Sequence, residues 1–235
     1  MSEAFLERDF KAYERHRQDD PEYNALRLSV RRKLKAIADA TLKEAKALGV
    51  DLSAQAGLHN PYTFNSYRVR EQRAYLCRGT KQRKKLAAFF GDALGKDAET
   101  HYIQTVLEVC LDDQIVEAAL RIHPQAWWDG ENWKKKLKAD RAARDQFCQL
   151  LRNLPAGFHL KLHDWKKDHW CSVIKPGDLE EVLEFYTPGN HWLHVQRQLP
   201  KEDAVAMGLE AEAWVRTSLL ALLPVYQFVL WDPDA

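Results

Sequence analysis

Glycine and proline are scarce in this 235-residue chain (10 and 9 residues), cysteine is limited to four and methionine to two. Few glycines and prolines exclude a collagenous or low-complexity protein, and 46% hydrophobic residues exclude a disordered one. The cysteines, Cys77, Cys110, Cys148 and Cys171, contain no CxxC pair, which removes the usual zinc-ribbon and thioredoxin-like patterns. Scattered through a chain this long, they are expected to be buried thiols in a reducing compartment, which points to the cytoplasm. No apolar run reaches the roughly 18 residues of a membrane span, so no membrane partner is expected. The first twenty residues are charged throughout and lack the apolar stretch of a secretory signal.

Charge of one sign is also missing. Lys+Arg number 35 and Asp+Glu 34, a net charge of +1, which excludes a uniformly basic nucleic-acid coat but leaves local patches open. Signature motifs are absent as well. There is no GxxxxGK[ST] phosphate loop, no GxGxxG, no GxSxG nucleophile elbow, no HExxH and no HxE…PCxxC pattern. No cofactor is assigned.

What is present is hydrophobic periodicity. Phe5, Leu6, Phe10 and Tyr13 predict a short amphipathic helix. Asp20-Pro21 has the form of an N-cap followed by proline in the first turn. Leu26, Val30, Leu34, Ile37, Thr41, Ala45 and Leu48 then step by threes and fours up to Gly49. A helix over 21–48 would span about 42 Å. Arg27, Arg31, Arg32, Lys33 and Lys35 crowd its first half and are expected on a solvated face. Turn chemistry marks 49–66, loose alternation follows over 67–78, and helical spacing returns over 81–94.

Residues 101–123 alternate as a β-hairpin. With Asp112-Asp113 as a two-residue turn, Ile103, Thr105, Leu107, Val109 and Leu111 share an apolar face with Ile122, Leu120, Ala118 and Val116. On the other face this register sets Tyr102 opposite His123, Gln104 opposite Arg121, and Glu108 directly opposite Glu117. Beyond it, Trp127, Trp128 and Trp133 cluster around an expected turn at Asp129-Gly130 before a helix ending at Pro155. Residues 158–163 and 169–174 form a second hairpin, 175–185 a helix, 191–199 a strand and 201–222 a helix, with VYQFVLW as a final strand or packed extension. Sequential antiparallel pairs with segregated helices predict an α+β fold. It is expected to be a single domain over 1–235, with residues 1–50 a helical subregion packed on an antiparallel sheet.

Two features carry candidate chemistry. Residues 68–85 hold Arg68, Arg70, Arg73, Arg78, Lys81, Arg83, Lys84 and Lys85 against one acid, Glu71. Tyr62, Phe64, Tyr67 and Tyr75 lie in or beside this run. Clustered cations flanked by rings suit an anionic partner such as nucleic acid or another polyanion, since phosphate attracts the cations and bases stack on the rings. The alternative is that these arginines pair with acids elsewhere in the fold. The hairpin's polar face is the second feature. Like charges directly opposite across strands repel, so Glu108 and Glu117 need a cation, a shared proton or water between them. With Arg121 and His123 they compose a candidate catalytic group for acid–base or metal-assisted hydrolysis; an ion-paired patch neutralised by Arg121 or by the basic run is the alternative. His159, His163 and His169, with Asp164 and Asp168, resemble ligands at first. On a strand, however, His159 and His163 would stand about 13 Å apart, too far to share an ion. An anion-binding module is therefore the first expectation, an enzyme the second, and a scaffold docking through the long helix the third.

Overall fold

A computed structural model describes residues 3–163 and 165–234. Strands β1 (Leu52–Ala56), β2 (Gln72–Arg78), β3 (Thr105–Leu111), β4 (Ile115–Ile122), β5 (His159–Leu162), β6 (Asp168–Trp170) and β7 (Leu193–Pro200) form one sheet. Its order is β1-β2-β3-β4-β7-β5-β6 and every neighbouring pair is antiparallel. The late strand β7 thus inserts between β4 and the β5–β6 hairpin. The helices are α1 (Glu7–Lys11), α2 (Asn24–Ala47), α3 (Thr80–Glu99), α4 (Trp127–Ala139), α5 (Arg141–Arg152), α6 (Pro176–Phe185), α7 (Lys201–Ala206), α8 (Glu210–Ala221) and α9 (Leu223–Val229). The fold is α+β.

Strand alternation gives the sheet two unlike faces. Ala74, Leu76, Leu107, Val109, Leu111, Val116, Ala118, Leu120, Ile122, Leu193, Val195, Leu160 and Leu162 share one face and are buried. Helices α2 and α8 pack on that side. Each Leu, Ile or Val removed from water there contributes about 1.5–3 kcal/mol. Among the described residues no helix is long and apolar enough to cross a membrane.

The long helix begins as the sequence predicts. Asp20 Oδ1 accepts from Glu22 N at 2.9 Å, Pro21–Tyr23 form a 3-10 turn that runs into α2, and Gly49 beyond its end adopts φ 81°. The basic face is only partly solvated, because Arg27 and Lys33 are buried. Arg27 donates to the carbonyls of Asp20 (3.0 Å) and Ala12 (3.4 Å), and Lys33 meets Asp9 at 2.5 Å, so these two cations hold the N-terminal segment.

Several expectations need correction. The turn of the first hairpin is at Asp113-Gln114, one residue later than expected, because Asp112 Oδ1 accepts from both Gln114 N (2.7 Å) and Ile115 N (2.8 Å) and so precedes the turn. The register moves by two residues. Each side chain keeps its face, but Glu108 pairs with Ala119 and Glu117 with Cys110, so the two acids are not directly opposed. Trp127, Trp128 and Trp133 lie within α4 rather than around a turn. Gly130 also lies in that helix, and a Cβ there would come within 2.3 Å of the Tyr186 hydroxyl, so the close approach of Tyr186 needs a glycine. The stretch 49–66 contains strand β1, α3 runs on to Glu99 across a break at Gly91 (φ 67°), the 201–222 helix divides near Gly208 (φ 57°), and the tail forms helix α9.

Candidate functional site

The sheet's second face is polar. Arg73 and Tyr75 of β2, Glu108 and Cys110 of β3, Glu117 and Arg121 of β4, and His194, Gln196 and Gln198 of β7 all project from it, because the strand period places odd and even positions on opposite sides. The β2–β3 part of this face, with Arg73, Tyr75, Val106 and Glu108, floors a cleft of about 940 Å³.

The loop joining β1 to β2 supplies one rim. Its ends are tied down: Gly57 N donates to Arg73 O (2.9 Å), Arg31 Nε to Gly57 O (2.8 Å), and Val69 N to Gln18 O (2.9 Å). In its middle Asn65 closes a 3-10 turn, accepting from Tyr62 N (2.7 Å) and donating to Asn60 O (2.9 Å). Ser66 (φ 53°) and Tyr67 (φ 56°) then occupy the left-handed region in succession. That conformation costs a side-chain-bearing residue of order 1–3 kcal/mol and persists only where surrounding bonds enforce it. Its consequence is display: Tyr62, Phe64 and Tyr67 are 51%, 86% and 60% exposed. The Tyr62 and Phe64 rings stack, with centroids 6.0 Å apart and planes at 24°. Arg68 and Arg70 follow on the same rim, exposed and with no ion pair among the described residues.

His101 and Tyr102, after α3, and His123 and Trp192, at adjacent ends of β4 and β7, complete the lining. Tyr75 and His101 rings lie 6.0 Å apart, and His123 meets Trp192 edge-on at 4.4 Å. Burial, aided by Arg73, lowers the His123 pKa to about 4; burial, aided by Arg83, also lowers that of His101.

A chain of ion pairs starts in this floor and runs on across the polar face to Arg121 and Glu117. Glu71 contacts Arg73; Arg73 Nη1 lies 3.6 Å from Glu108 Oε2; Arg121 Nε lies 2.9 Å from Glu108 Oε1 and its Nη2 2.5 Å from Glu117 Oε1. Gln198 Nε2 donates to the other Glu117 oxygen at 2.8 Å. The Arg121–Glu108 contact is ionic and poorly aligned as a hydrogen bond. Burial lowers the pKa of Arg73, but Glu108, Cys110 and Glu71 more than offset it and leave the guanidinium raised. The cation that Glu108 and Glu117 require is thus Arg121, and Glu108 also faces Arg73. Among the described residues no group of three or more His, Cys, Asp or Glu is arranged to hold a metal ion, and Asp164, grouped with the histidines on the sequence, lies outside the described residues.

The basic run does not form one surface. Arg68, Arg70, Arg73 and Tyr75 line the cleft together with Glu108 and His123. Arg78 is on the opposite face, buried against Asp129, Gln104 and the Trp231 carbonyl. Arg83, in the first turn of α3, is buried, donating to Arg78 O (3.2 Å) and Cys77 Sγ (3.1 Å). Neither can meet a polyanion. Lys81 and Lys84 are exposed on α3, and Lys85 pairs with Asp232 (2.6 Å) and Asp234 (2.7 Å). Sequence reasoning missed His101 and Trp192. Trp192 carries no local signal, since it reaches the cleft only through the β4–β7 pairing. No known protein-family model matches this chain, and no curated protein is significantly similar to it.

Proposed function

We propose that the protein binds an anionic partner bearing flat rings, a single-stranded nucleic acid, in this cleft. One observation carries the reading: the exposed, stacked Tyr62 and Phe64 rings stand on the same tied loop as Arg68 and Arg70, two cations with no acidic partner among the described residues. Rings offer stacking surface to any base and arginines attract phosphate, the combination that single-strand binding uses. Binding is favoured over acid–base catalysis because Glu108 and Glu117 are already engaged by Arg121 and Arg73. A cytoplasmic setting is part of the proposal, supported by four buried cysteines without a disulfide.

Fluorescence anisotropy of a fluorescein-labelled oligothymidylate tests it. Binding should weaken steeply with salt, as expected when phosphates release counterions. Arg68→Glu with Arg70→Glu should weaken it by more than about tenfold. Lys81→Glu with Lys84→Glu, on α3, should change it by less than about twofold. Equal losses from the two pairs, or no binding by the wild-type protein, would overturn the proposal.

A further inference from the structure

Arg73 has two acidic partners of unequal standing. Glu108 is deeply buried, with 3% side-chain exposure, and is also held by Arg121; Glu71 is 36% exposed and sits at the entrance to β2. Residues 71 and 73 lie on the same side of an extended chain, so the Glu71 carboxylate folds over the outer edge of the Arg73 guanidinium. Its other oxygen accepts only a weak bond from Cys110 Sγ at 3.4 Å.

The floor network holds three acids, Glu71, Glu108 and Glu117, and two cations, Arg73 and Arg121. Without Glu71 the remaining two acids and two cations balance. The same count holds for any one of the three acids, but Glu108 and Glu117 are 3% and 5% exposed and Glu71 36%, so Glu71 is the member able to swing out into water.

We infer that Glu71 is a displaceable internal counter-anion, and that a backbone phosphodiester of the bound strand takes its place on Arg73. This rests on the cleft being the binding site, as proposed above. A phosphodiester matches what it replaces: one negative charge and an oxygen placed to accept from the Nη2 arm of Arg73, while Nη1 stays with Glu108. A phosphomonoester dianion would add a second negative charge beside Arg73 and Arg121, which already face Glu108 and Glu117. The ligand class is thus the interior of a strand rather than a nucleotide's terminal phosphate. Until a strand displaces it, Glu71 keeps Arg73 occupied and sets a threshold that a loosely held anion does not cross.

The test is the affinity of the same labelled oligothymidylate for five proteins: wild type, Glu71→Gln, Asp113→Asn, Arg73→Lys, and Glu71→Gln combined with Arg73→Lys. Asp113, in the β3–β4 turn, provides removal of one acid that is not paired with Arg73. Glu71→Gln should tighten binding about fivefold, the scale of one partly exposed ion pair. Asp113→Asn should change it less than about twofold, and the Glu71→Gln gain should shrink in the Arg73→Lys background, where the fork is gone. Competition with thymidine 5′-monophosphate should remain weak for the wild-type protein. Equal gains from Glu71→Gln and Asp113→Asn, or an undiminished gain in the Arg73→Lys background, would overturn this inference while leaving the cleft as the binding site. Failure of both wild type and Glu71→Gln to bind the oligonucleotide would overturn the proposed function with it. Thermal unfolding of each variant confirms that the compared proteins are folded.

Discussion

Arg78 and Asp129 meet as a two-pronged ion pair in the interior, Nη1 to Oδ2 at 2.7 Å and Nη2 to Oδ1 at 2.5 Å, joining β2 to α4. Thr105 Oγ1 (2.6 Å) and Trp231 N (3.0 Å) also donate to the carboxylate, so it gathers β3 and the residues after α9 to the same point. This pair withdraws Arg78 from the basic run and makes it structural.

Arg78→Met should therefore destabilise the fold severely, by about 3–5 kcal/mol, because it leaves a fully buried carboxylate without its counter-charge. Arg78→Met combined with Asp129→Leu should cost less than Arg78→Met alone. Urea denaturation midpoints measure both; equal losses would mean that the stranded charge is not the cause.

Arg121 is the corresponding hub on the polar face. Arg121→Gln should cost about 3 kcal/mol or more, since Glu108 and Glu117, both buried, lose their shared cation. Adding Glu117→Gln should return part of that loss, with a coupling of about 0.5–3 kcal/mol. Strictly additive effects in the same denaturation assay would sink the network reading.

The rim separates binding from folding. Phe64 is 86% exposed, so Phe64→Ala should alter stability by no more than about 0.5 kcal/mol. It should nevertheless weaken oligonucleotide binding by about 1–3 kcal/mol, the worth of one stacked base. Anisotropy and thermal unfolding on the same sample decide it, and unchanged affinity would remove the ring from the site.

Two half-buried imidazoles predict an acid limb. Burial, reinforced by Arg121, Arg73 and His163 and partly opposed by the Gln196 bond, lowers His194 to about 3; His123 is lowered to about 4. An unfolded histidine takes its proton near pH 6.5. Below that value the unfolded chain binds protons that the native protein refuses, so stability is complete above about pH 6.5 and declines as pH falls toward 3–4. The slope is at most about 1.4 kcal/mol per pH unit for each histidine. His194→Phe should flatten the decline between about pH 6.5 and about pH 4. Parallel urea titrations across that range check it; an unchanged slope would show that His194 is not responsible.

Much of the fold was legible because local periodicity reports burial. The threes and fours of α2, the Asp20-Pro21 start and the alternation across β3 and β4 each describe one element against one core. The two faces of the first hairpin also survive the misplaced turn, since a register shift of two residues leaves every side chain on its own side. What that shift changed was partnership: Glu108 moved from opposite Glu117 to opposite Ala119, and only Asp112's two backbone bonds select that outcome. The short apolar tail could be strand or helix by pattern alone, and packing made it α9.

The amino-acid order alone determined which residues are oily, which strand positions share a side, and that cations and rings crowd one stretch. Tertiary structure decided how that crowd was divided. A strand of period two sent Arg73 and Tyr75 to one face and Arg78 to the other, α3 carried Lys81 and Lys84 away, and pairing between β4 and β7 brought Trp192 beside His123. Local sequence encodes direction along and around an element, whereas a site depends on which distant elements become neighbours, and that is set by burying the whole core at once.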